Sequence, residues 1–406
     1  LATAAGLSCG DAVGADAWPR FRGPHGAGQS DAAGIPAVWT DADYAWRVAL
    51  PGLGHSSPVV WNGRVFVTSA DRDSAELYVA CFDLATGREL WQRRLPGGPH
   101  AMHRVNSYAT STPAVDDRHL YVAWKAGDAV LLAALTHEGR DVWQRQTGRL
   151  DETHGFGASP IVVGDVVCLP NDTDAAADSA IVGVDRRTGE ILWRSPCGSA
   201  KTSYATPLAW ETPDGETLIL AASMSDGLTA YRPDSGAVAW NALKQDLPDR
   251  CVSSPVAVDG RVFVSCGSGN TGLHLIPLQL PDATRAPTEL YRLRQNIPNI
   301  PTPVAAGDLL VLWHDRGVVT CVDPASGAVH WRERIGGNFH SSPLRIGDRI
   351  YGISLTGEVV VLAAESEFKI VARHELGEGV VATPAVADGR LIIRTEGSLL
   401  CLESAP

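Results

Sequence analysis

The sequence of 406 residues lacks the features of several large protein classes. It has only two methionines and few runs of lysine or glutamate, which disfavours a helical protein. No apolar stretch reaches the roughly 18 residues that a transmembrane helix requires. Basic charge is also scarce, because 34 Lys and Arg stand against 46 Asp and Glu, for a net charge of −12. A nucleic-acid-binding surface is basic, so we expect no nucleic-acid partner.

Several local motifs of cofactor and metal chemistry are missing as well. The sequence contains no H-E-x-x-H zinc motif and no Cys-x-x-Cys-His haem motif. No two of its eight cysteines are adjacent. Motifs therefore assign no catalytic residue, and any site must be sought in the organisation of the chain.

Turn-forming residues are abundant, and they belong to a repeat. The 41 glycines and 26 prolines make up about one residue in six, which suits a chain of many short strands. A serine or threonine followed by proline recurs eight times, about every 47 residues, and a period of this length is typical of a repeat architecture. Most of these pairs precede a short apolar run, an Asn-Gly or Asp-Gly turn and a second run, which predicts a hairpin. The eight anchor prolines are Pro58, Pro113, Pro160, Pro207, Pro255, Pro303, Pro343 and Pro384.

A second pattern runs in phase with the anchors. A glycine is followed four residues later by tryptophan, and a small residue stands ten before the tryptophan, which would give the large ring room to pack. Each unit is thus predicted to have four strands, the last carrying a tryptophan that contacts another unit, as in a propeller blade. The five glycine–tryptophan pairs are Gly87 and Trp91, Gly139 and Trp143, Gly189 and Trp193, Gly236 and Trp240, and Gly327 and Trp331.

Counting strands predicts how the ring closes. Seven outer strands follow an anchor, around Trp91, Trp143, Trp193, Trp240, Tyr291, Trp331 and Val371. The last unit, 380–403, lacks a fourth strand, and the strand at 45–48 has no unit of its own. The prediction is an all-β, eight-bladed β-propeller of four-stranded blades, closed by the N-terminal strand, which leaves no open edge.

Three cysteines, Cys81, Cys321 and Cys401, occupy equivalent strand positions in different blades. Equivalent positions in separate blades lie too far apart for a disulfide. We expect these three cysteines to be free thiols that pack as small core residues.

The pattern small-x-Asp-x-x-Thr-Gly-x-x-x-Trp resembles the tryptophan-docking motif of the PQQ-like (quinoprotein-like) β-propellers. Residues 81–91 and 183–193 match it closely, and residues 321–331 have Ser in place of Thr. The opening Trp-Pro-Arg-Phe-Arg-Gly-Pro at 18–24 resembles that of secreted bacterial members of this family. The fold hosts quinone-dependent dehydrogenases, scaffolds and sensors, so it does not imply one function. The vicinal cysteine pair of the family's alcohol dehydrogenases is absent here, whereas one non-enzymatic member, an outer-membrane assembly lipoprotein, has eight blades and a similar length.

The sequence predicts three segments. Residues 1–17 resemble the remnant of a signal peptide, because Ala15-Asp16-Ala17 suits a signal-peptidase site, although an Ala-rich tail is the alternative. Residues 18–43 form an N-terminal extension, and residues 44–406 form the PQQ-like propeller. We expect a secreted or periplasmic, envelope-associated monomer, and whether Cys9 carries a lipid stays open.

The loops that enter the innermost strands are unusually polar. In such a propeller they surround one end of the central channel, and polar groups that converge in a concavity mark the default binding site. The longest of these loops, between Trp91 and Pro113, strengthens the choice because insertions in repeat proteins tend to map to the binding face. The candidate ligand-binding residues are His55, His103, Arg104, Tyr108, His154, Lys201, Tyr204, Asp249, Arg250, Asn299, Trp313, His314 and His340.

Two hypotheses follow from this channel mouth. In the first, the protein is a binding or scaffold module for a protein, peptide or carbohydrate ligand in the cell envelope, with no cofactor. In the second, it is an enzyme: a metal-assisted or acid–base lyase on acidic sugars, or an oxidoreductase with PQQ. The enzyme hypothesis would use Arg and Lys to bind a carboxylate and His as a base or metal ligand. If a divalent metal binds, the expected ligands are His55, His103 and His340.

Overall fold

The computed structural model describes residues 17–151, 154–175, 178–198, 201–280 and 282–404. These residues form eight antiparallel sheets, which confirms the predicted all-β, eight-bladed propeller. The predicted signal-peptide remnant lies outside the described residues apart from Ala17, and Cys9 does too.

Each blade is described by its strands from the channel outward. Blade 1 comprises Val59–Trp61, Arg64–Ala70, Leu77–Asp83 and Glu89–Leu95. Blade 2 comprises Ala114–Val115, His119–Ala126, Ala129–Thr136 and Asp141–Arg149. Blade 3 comprises Ile161–Val163, Val166–Asn171, Ala180–Asp185 and Ile191–Pro196. Blade 4 comprises Leu208–Glu211, Thr217–Ser223, Gly227–Tyr231 and Val238–Ala242.

The second half of the ring has the same plan. Blade 5 comprises Val256–Val258, Arg261–Ser268, Gly272–Gln279 and Thr288–Glu289. Blade 6 comprises Val304–Ala306, Leu309–Trp313, Val318–Val322 and Val329–Arg334. Blade 7 comprises Leu344–Ile346, Arg349–Ile353, Glu358–Ala363 and Ile370–Glu375. Blade 8 comprises Ala385–Ala387, Arg390–Arg394, Ser398–Glu403 and finally the N-terminal strand Tyr44–Ala49.

The N-terminal strand closes the ring, as predicted. Tyr44–Ala49 pairs antiparallel with Ser398–Glu403, and Trp46 stands opposite Cys401. The apolar core lies in the seams between neighbouring blades, because both faces of an inner strand are buried there. Tyr44–Ala49 belongs to blade 8 and leads directly into blade 1. It thus covers the strand edge of Ser398–Glu403 that an open ring would expose.

The repeat tryptophans dock between blades. The ring of Trp46 covers Gly87 of blade 1, and the Nε1–H group donates to the Leu84 carbonyl oxygen at 2.9 Å. Trp91 covers Gly139 of blade 2 in the same way. A Cβ atom at either glycine would clash with the indole ring of the tryptophan from the preceding blade. The motif therefore requires glycine at this position.

Blade 5 departs from the prediction that its outer strand surrounds Tyr291. The outer strand is Thr288–Glu289, and it ends before Tyr291. The tyrosine ring covers Gly327 of blade 6, and its hydroxyl donates to the Pro324 carbonyl oxygen at 2.9 Å. Tyr291 therefore replaces the docking tryptophan although the strand around it is lost.

The anchor Ser/Thr-Pro pairs form a belt around the channel. The backbone N–H of Ser254 donates to Thr302 Oγ1 at 3.1 Å, and the N–H of Thr302 donates to Ser342 Oγ at 2.9 Å. The same contact links Ser57 to Thr112 and Ser342 to Thr383. Each hydroxyl thus satisfies a buried backbone donor of the preceding blade, which explains why the residue before the proline carries one.

Residues 18–43, predicted as an N-terminal extension, contact the interior of the propeller. Gln29–Ser30 adds a fifth strand to blade 7 on the channel side, parallel to Leu344–Ile346. Two 3₁₀ turns, Pro24–Gly26 and Asp41–Asp43, bend the segment. Among the described residues, no helix combines the length and the apolar character that crossing a membrane would require.

Candidate functional site

The candidate residues lie mainly on one face of the ring, here called the mouth face: the loops that precede the inner strands and the turns between the second and third strands. These two sets of loops contact each other directly. The N–H of Phe339 donates to the Asp315 carbonyl oxygen, and the N–H of Leu355 donates to the Asn338 carbonyl oxygen. The opposite face carries the turns that follow the inner strands.

His55 lies in the loop that leads into blade 1, and this loop contacts both the loop of blade 2 and Arg394 of blade 8. Its backbone N–H donates to the Ala109 carbonyl oxygen at 2.9 Å, and its side chain is partly buried. Burial, together with the nearby charges of Arg394 and His340, lowers the pKa of His55 to about 4. The imidazole is therefore neutral at physiological pH and can accept a proton or a hydrogen bond.

Three further histidines surround the same part of the mouth. The rings of His103 and His154 stack with centroids 5.8 Å apart and an interplanar angle of 8°. The side chain of Asn106 fixes this pair, because its Nδ2 donates to the His154 carbonyl oxygen at 2.6 Å. Burial lowers the pKa of His340; the charge of Asp315 opposes the shift and that of His103 adds to it. Blades 1, 2, 3 and 7 thus contribute imidazoles to one region of the mouth face.

The opposite sector of the mouth is an ion-pair network. Lys201 Nζ lies 2.9 Å from Asp249 Oδ1, and Ser268 Oγ donates to Asp249 Oδ2 at 2.9 Å. Burial alone would raise the pKa of Asp249, but Lys201, the backbone N–H of Arg250 and Ser268 outweigh it and hold the pKa below its usual range. The Asp249 carboxylate is therefore saturated by groups of its own chain.

Other candidates have structural partners in the mouth. The N–H groups of Tyr204 and Asn299 bond to the Cys251 carbonyl oxygen and to Asp315 Oδ2. His314 Nδ1 accepts the backbone N–H of Arg316 at 3.0 Å. Tyr108 meets the ring of His100 edge-on, with centroids 4.9 Å apart. These contacts fix the backbone or the rings of these half-buried residues within the mouth face.

Trp313 is a correction to the predicted site. Its side chain is 0% exposed and packs edge-on against Phe339, with ring centroids 5.3 Å apart. A Cβ at Gly352 would also meet this ring. Trp313 ends the second strand of blade 6 and points into a blade seam, so it is a core residue that no ligand reaches.

The enzyme hypothesis predicts a metal or PQQ site, and the residues proposed for it can be compared with the structure. Within the described ranges, no three His, Cys, Asp or Glu side chains come close enough to hold a metal ion, and this includes His55, His103 and His340. PQQ is an anionic quinone whose site would need cationic groups free to bind it. The fully buried guanidinium groups of Arg22 and Arg394 instead donate to backbone carbonyl and hydroxyl oxygens. Neither of these two arginines is therefore free to bind the carboxylate groups of PQQ.

Sequence reasoning missed Arg394, which supports the mouth from below. Its Nη1 donates to the carbonyl oxygen and the hydroxyl of Ser56 and to the Thr68 carbonyl oxygen, at 2.7–2.9 Å. Its Nη2 donates to Ser69 Oγ at 3.1 Å. A Cβ atom at Gly54 would lie only 2.4 Å from Arg394 Nη2, so the glycine leaves room for the guanidinium group. Arg394 of blade 8 therefore positions the His55 loop of blade 1.

Comparison with known proteins points in one direction. The family model described as "Outer membrane protein assembly factor BamB" matches residues 37–177, 177–286 and 289–367. BamB of Yersinia pestis is 23% identical over 235 residues, which are 56% of this chain and 53% of that protein. BamB of Escherichia coli (strain K12) is 25% identical over 143 residues, 34% of this chain and 32% of that protein. The alignments thus span about half or less of these curated relatives.

Two solved structures share the fold. The crystal structure of BamB from Moraxella catarrhalis has a TM-score of 0.64 at 17% identity and covers 89% of this chain and 97% of that one. A europium-containing methanol dehydrogenase has a TM-score of 0.57 at 10% identity and covers 96% of this chain and 98% of that one. At these identities the similarity concerns architecture alone.

Proposed function

Because the chain belongs to the family of the outer membrane protein assembly factor BamB, we propose that it is a protein-binding scaffold of the cell envelope. Its mouth face would engage the partner, a protein or an extended peptide of the outer-membrane assembly process. The protein would be exported to the periplasm, associate with the envelope and act as a monomer.

The observation that carries this proposal is an exposed loop tip whose base is hydrogen-bonded to the neighbouring blade. His103, Arg104 and Val105 are exposed at the tip of the long loop of blade 2. Below the tip, Asn106 bonds to the neighbouring blade. A partner could therefore contact an ordered tip with little loss of loop entropy, which favours affinity.

The shape and polarity of the mouth favour a macromolecular partner. Small molecules prefer enclosed, largely apolar cavities. Here Lys201 pairs with Asp249, while Leu53 and Val105 are 42% and 40% exposed at the rim. Isolated apolar side chains among polar groups resemble the composition of a non-obligate protein interface. No specific observation among the described residues favours the enzyme hypothesis over this one.

Site-specific photo-crosslinking in the native envelope tests the proposal. A photoreactive residue replaces Arg104 on the mouth face or, as a matched control, Arg118 on the opposite face of the same blade. We expect position 104 to crosslink to a protein of the outer-membrane assembly process and position 118 to give no such adduct. Adducts from position 118 alone would refute the mouth as the interface, and a carbohydrate adduct would refute a protein partner.

Single replacement of His55, His103 and His340 by Ala then maps the interface. We expect His103→Ala to weaken partner binding by roughly tenfold, because exposed interface residues that matter cost more than 1 kcal/mol on truncation. Binding is measured with the identified partner, and circular dichroism verifies the fold. If all three variants fold and bind fully, the site lies elsewhere.

A further inference from the structure

The segment 18–30 enters the central channel and leaves it by the same face. Trp18 bridges Val60 antiparallel, with both backbone hydrogen bonds formed, so the segment runs against the inner strand of blade 1 and towards the mouth. Gln29–Ser30 then runs parallel to the inner strand of blade 7, away from the mouth. Since inner strands run from the mouth to the opposite face, the segment is a hairpin-like insertion from that opposite face.

The insertion crosses the channel axis. The Pro19 carbonyl oxygen accepts the N–H of Val115 in blade 2, and Arg20 Nη2 donates to the Pro207 carbonyl oxygen of blade 4 at 2.7 Å. Arg22 reaches blades 6 and 7. Contacts to blades on both sides of an eight-membered ring require the segment to lie across its centre.

Arg22 is buried in the insertion, and backbone oxygens surround its guanidinium group. Its side chain is 1% exposed. Nη1 donates to the carbonyl oxygens of Thr302 and Pro343 at 3.2 and 3.1 Å, and Nη2 donates to that of Pro303 at 2.7 Å. The other donors bond to Gly26 and Ala27 within the segment itself. All five N–H donors of the fork thus have carbonyl partners.

The rest of the insertion is shaped around this arginine. Arg22 itself has φ 62°, which is uncommon for a residue with a Cβ and marks a position that the surroundings impose. A Cβ at Gly28 would lie 2.5 Å from Arg22 Nη2, and one at Gly23 would lie 2.5 Å from the Trp18 ring. The sequence W-P-R-F-R-G-P-H-G-A-G therefore provides two arginines and the glycines that let them fit.

We propose that the carbonyl oxygens at the anchor prolines of blades 6 and 7 form a guanidinium-binding site, and that Arg22 occupies it in cis, so that residues 18–30 plug the channel. The plug closes the channel from the face opposite the mouth. A ligand that enters the channel must then do so from the mouth face, and a substrate that crosses the whole channel is excluded.

The chemistry of the site selects arginine over lysine. Burial lowers the pKa of Arg22 to about 9, which leaves it protonated at neutral pH. A lysine would present three donors from one point and could not reach oxygens arranged around a planar fork. The charge is stabilised by the carbonyl dipoles that converge on it, and a group of different shape would leave several buried oxygens unpaired.

Chemical rescue tests the site. Arg22→Gly removes the guanidinium group and leaves its pocket empty. The backbone can keep its conformation, because glycine readily adopts the φ of 62° found at this position. We expect Tm to fall by roughly 5–10 °C, because several buried hydrogen bonds are lost. Guanidinium at about 10 mM should then restore part of the loss, since a ligand that binds only the folded state stabilises it. The wild type and Arg104→Gly, an exposed control, should show no gain, and urea or NaCl should not substitute.

A second measurement covers the case in which Arg22→Gly does not fold. A protease site is introduced in the exposed stretch 31–34 of the full chain, and the folded protein is cut there. We expect the cut N-terminal segment to stay bound through gel filtration and to be lost at least tenfold faster from Arg22→Lys. The proposal is overturned if guanidinium rescues no more than NaCl does, or if the segment leaves both cut proteins equally fast.

Discussion

At the residue scale, the mouth face combines neutral imidazoles with buried cations. Arg394 lies under the His55 loop and contributes to the lowered pKa of His55. Burial and the positive charge of a nearby guanidinium group both disfavour the protonated form of an imidazole. His55 and His340, whose pKa values burial lowers, therefore act as neutral hydrogen-bonding groups at neutral pH.

The pKa of His55 predicts how stability depends on pH. The folded-state pKa is about 4, below the ordinary value of 6.5, so between these pH values the unfolded chain binds a proton that the folded protein does not. The contribution of this group to the free energy of unfolding should be fully present above pH 6.5 and fall by about 3 kcal/mol towards pH 4. Urea unfolding of His55→Asn should give a flatter profile than the wild type. His330→Asn, on the exposed outer strand of blade 6, is the control, and an unchanged slope in His55→Asn would contradict the prediction.

At the element scale, two rings of contacts join the blades. The Ser/Thr belt satisfies backbone donors near the channel. Farther from the channel, a docked tryptophan such as Trp193 donates its Nε1–H to a carbonyl oxygen of the next blade, that of Pro233, at 2.8 Å, whereas the Nε1–H of Trp240 has no such partner. Both contacts pass from one blade to the next, so a blade depends on its neighbours for hydrogen bonds as well as for apolar burial. The Ser/Thr-Pro repeat and the glycine–tryptophan repeat therefore specify the contacts between blades as well as the strands within them.

Thr302 provides a test of the belt. Its hydroxyl accepts the N–H of Ser254, and its side chain is 1% exposed. Thr302→Ala should lower the free energy of unfolding by about 1–3 kcal/mol, because it leaves a buried N–H unpaired. Thr302→Ser keeps the hydroxyl and should cost clearly less. Equal losses for the two variants in urea unfolding would mean that the methyl group, not the hydrogen bond, matters at this seam.

At the scale of the whole molecule, the N-terminal segment 18–49 has three structural roles. Residues 18–30 fill the channel, Gln29–Ser30 extends blade 7 and Tyr44–Ala49 completes blade 8. Deleting residues 1–50, which the ring-closure argument would already expect to harm folding, also removes the channel plug. The N-terminal part of the chain therefore closes the ring of blades through Tyr44–Ala49 and fills the channel through residues 18–30.

The ring also predicts the thiol chemistry. The seven cysteines of the described ranges are buried and unpaired, and Cys81, Cys321 and Cys401 lie in blades 1, 6 and 8. Burial raises the pKa of Cys81 to about 12, so the native thiol stays protonated and unreactive. These three thiols should resist labelling in the native protein and react fully after denaturation without reductant. A disulfide between any two of them, found by peptide mapping, would refute the blade assignment.

The sequence by itself determined the number of blades, the strands of every blade except the outer strand of blade 5, and the closing strand. Short local patterns repeat in phase around the ring, and Tyr44–Ala49 has only one vacant position to fill. It also indicated that polar loops share one face. Only the tertiary structure decided which of those side chains are available: Trp313 is core, and Asp249 is saturated by its neighbours. It alone assigned Arg22, whose oxygen partners stand 280 and 321 residues away along the chain. Backbone carbonyls carry no sequence pattern, so a site built from them arises only when the ring brings the anchors together.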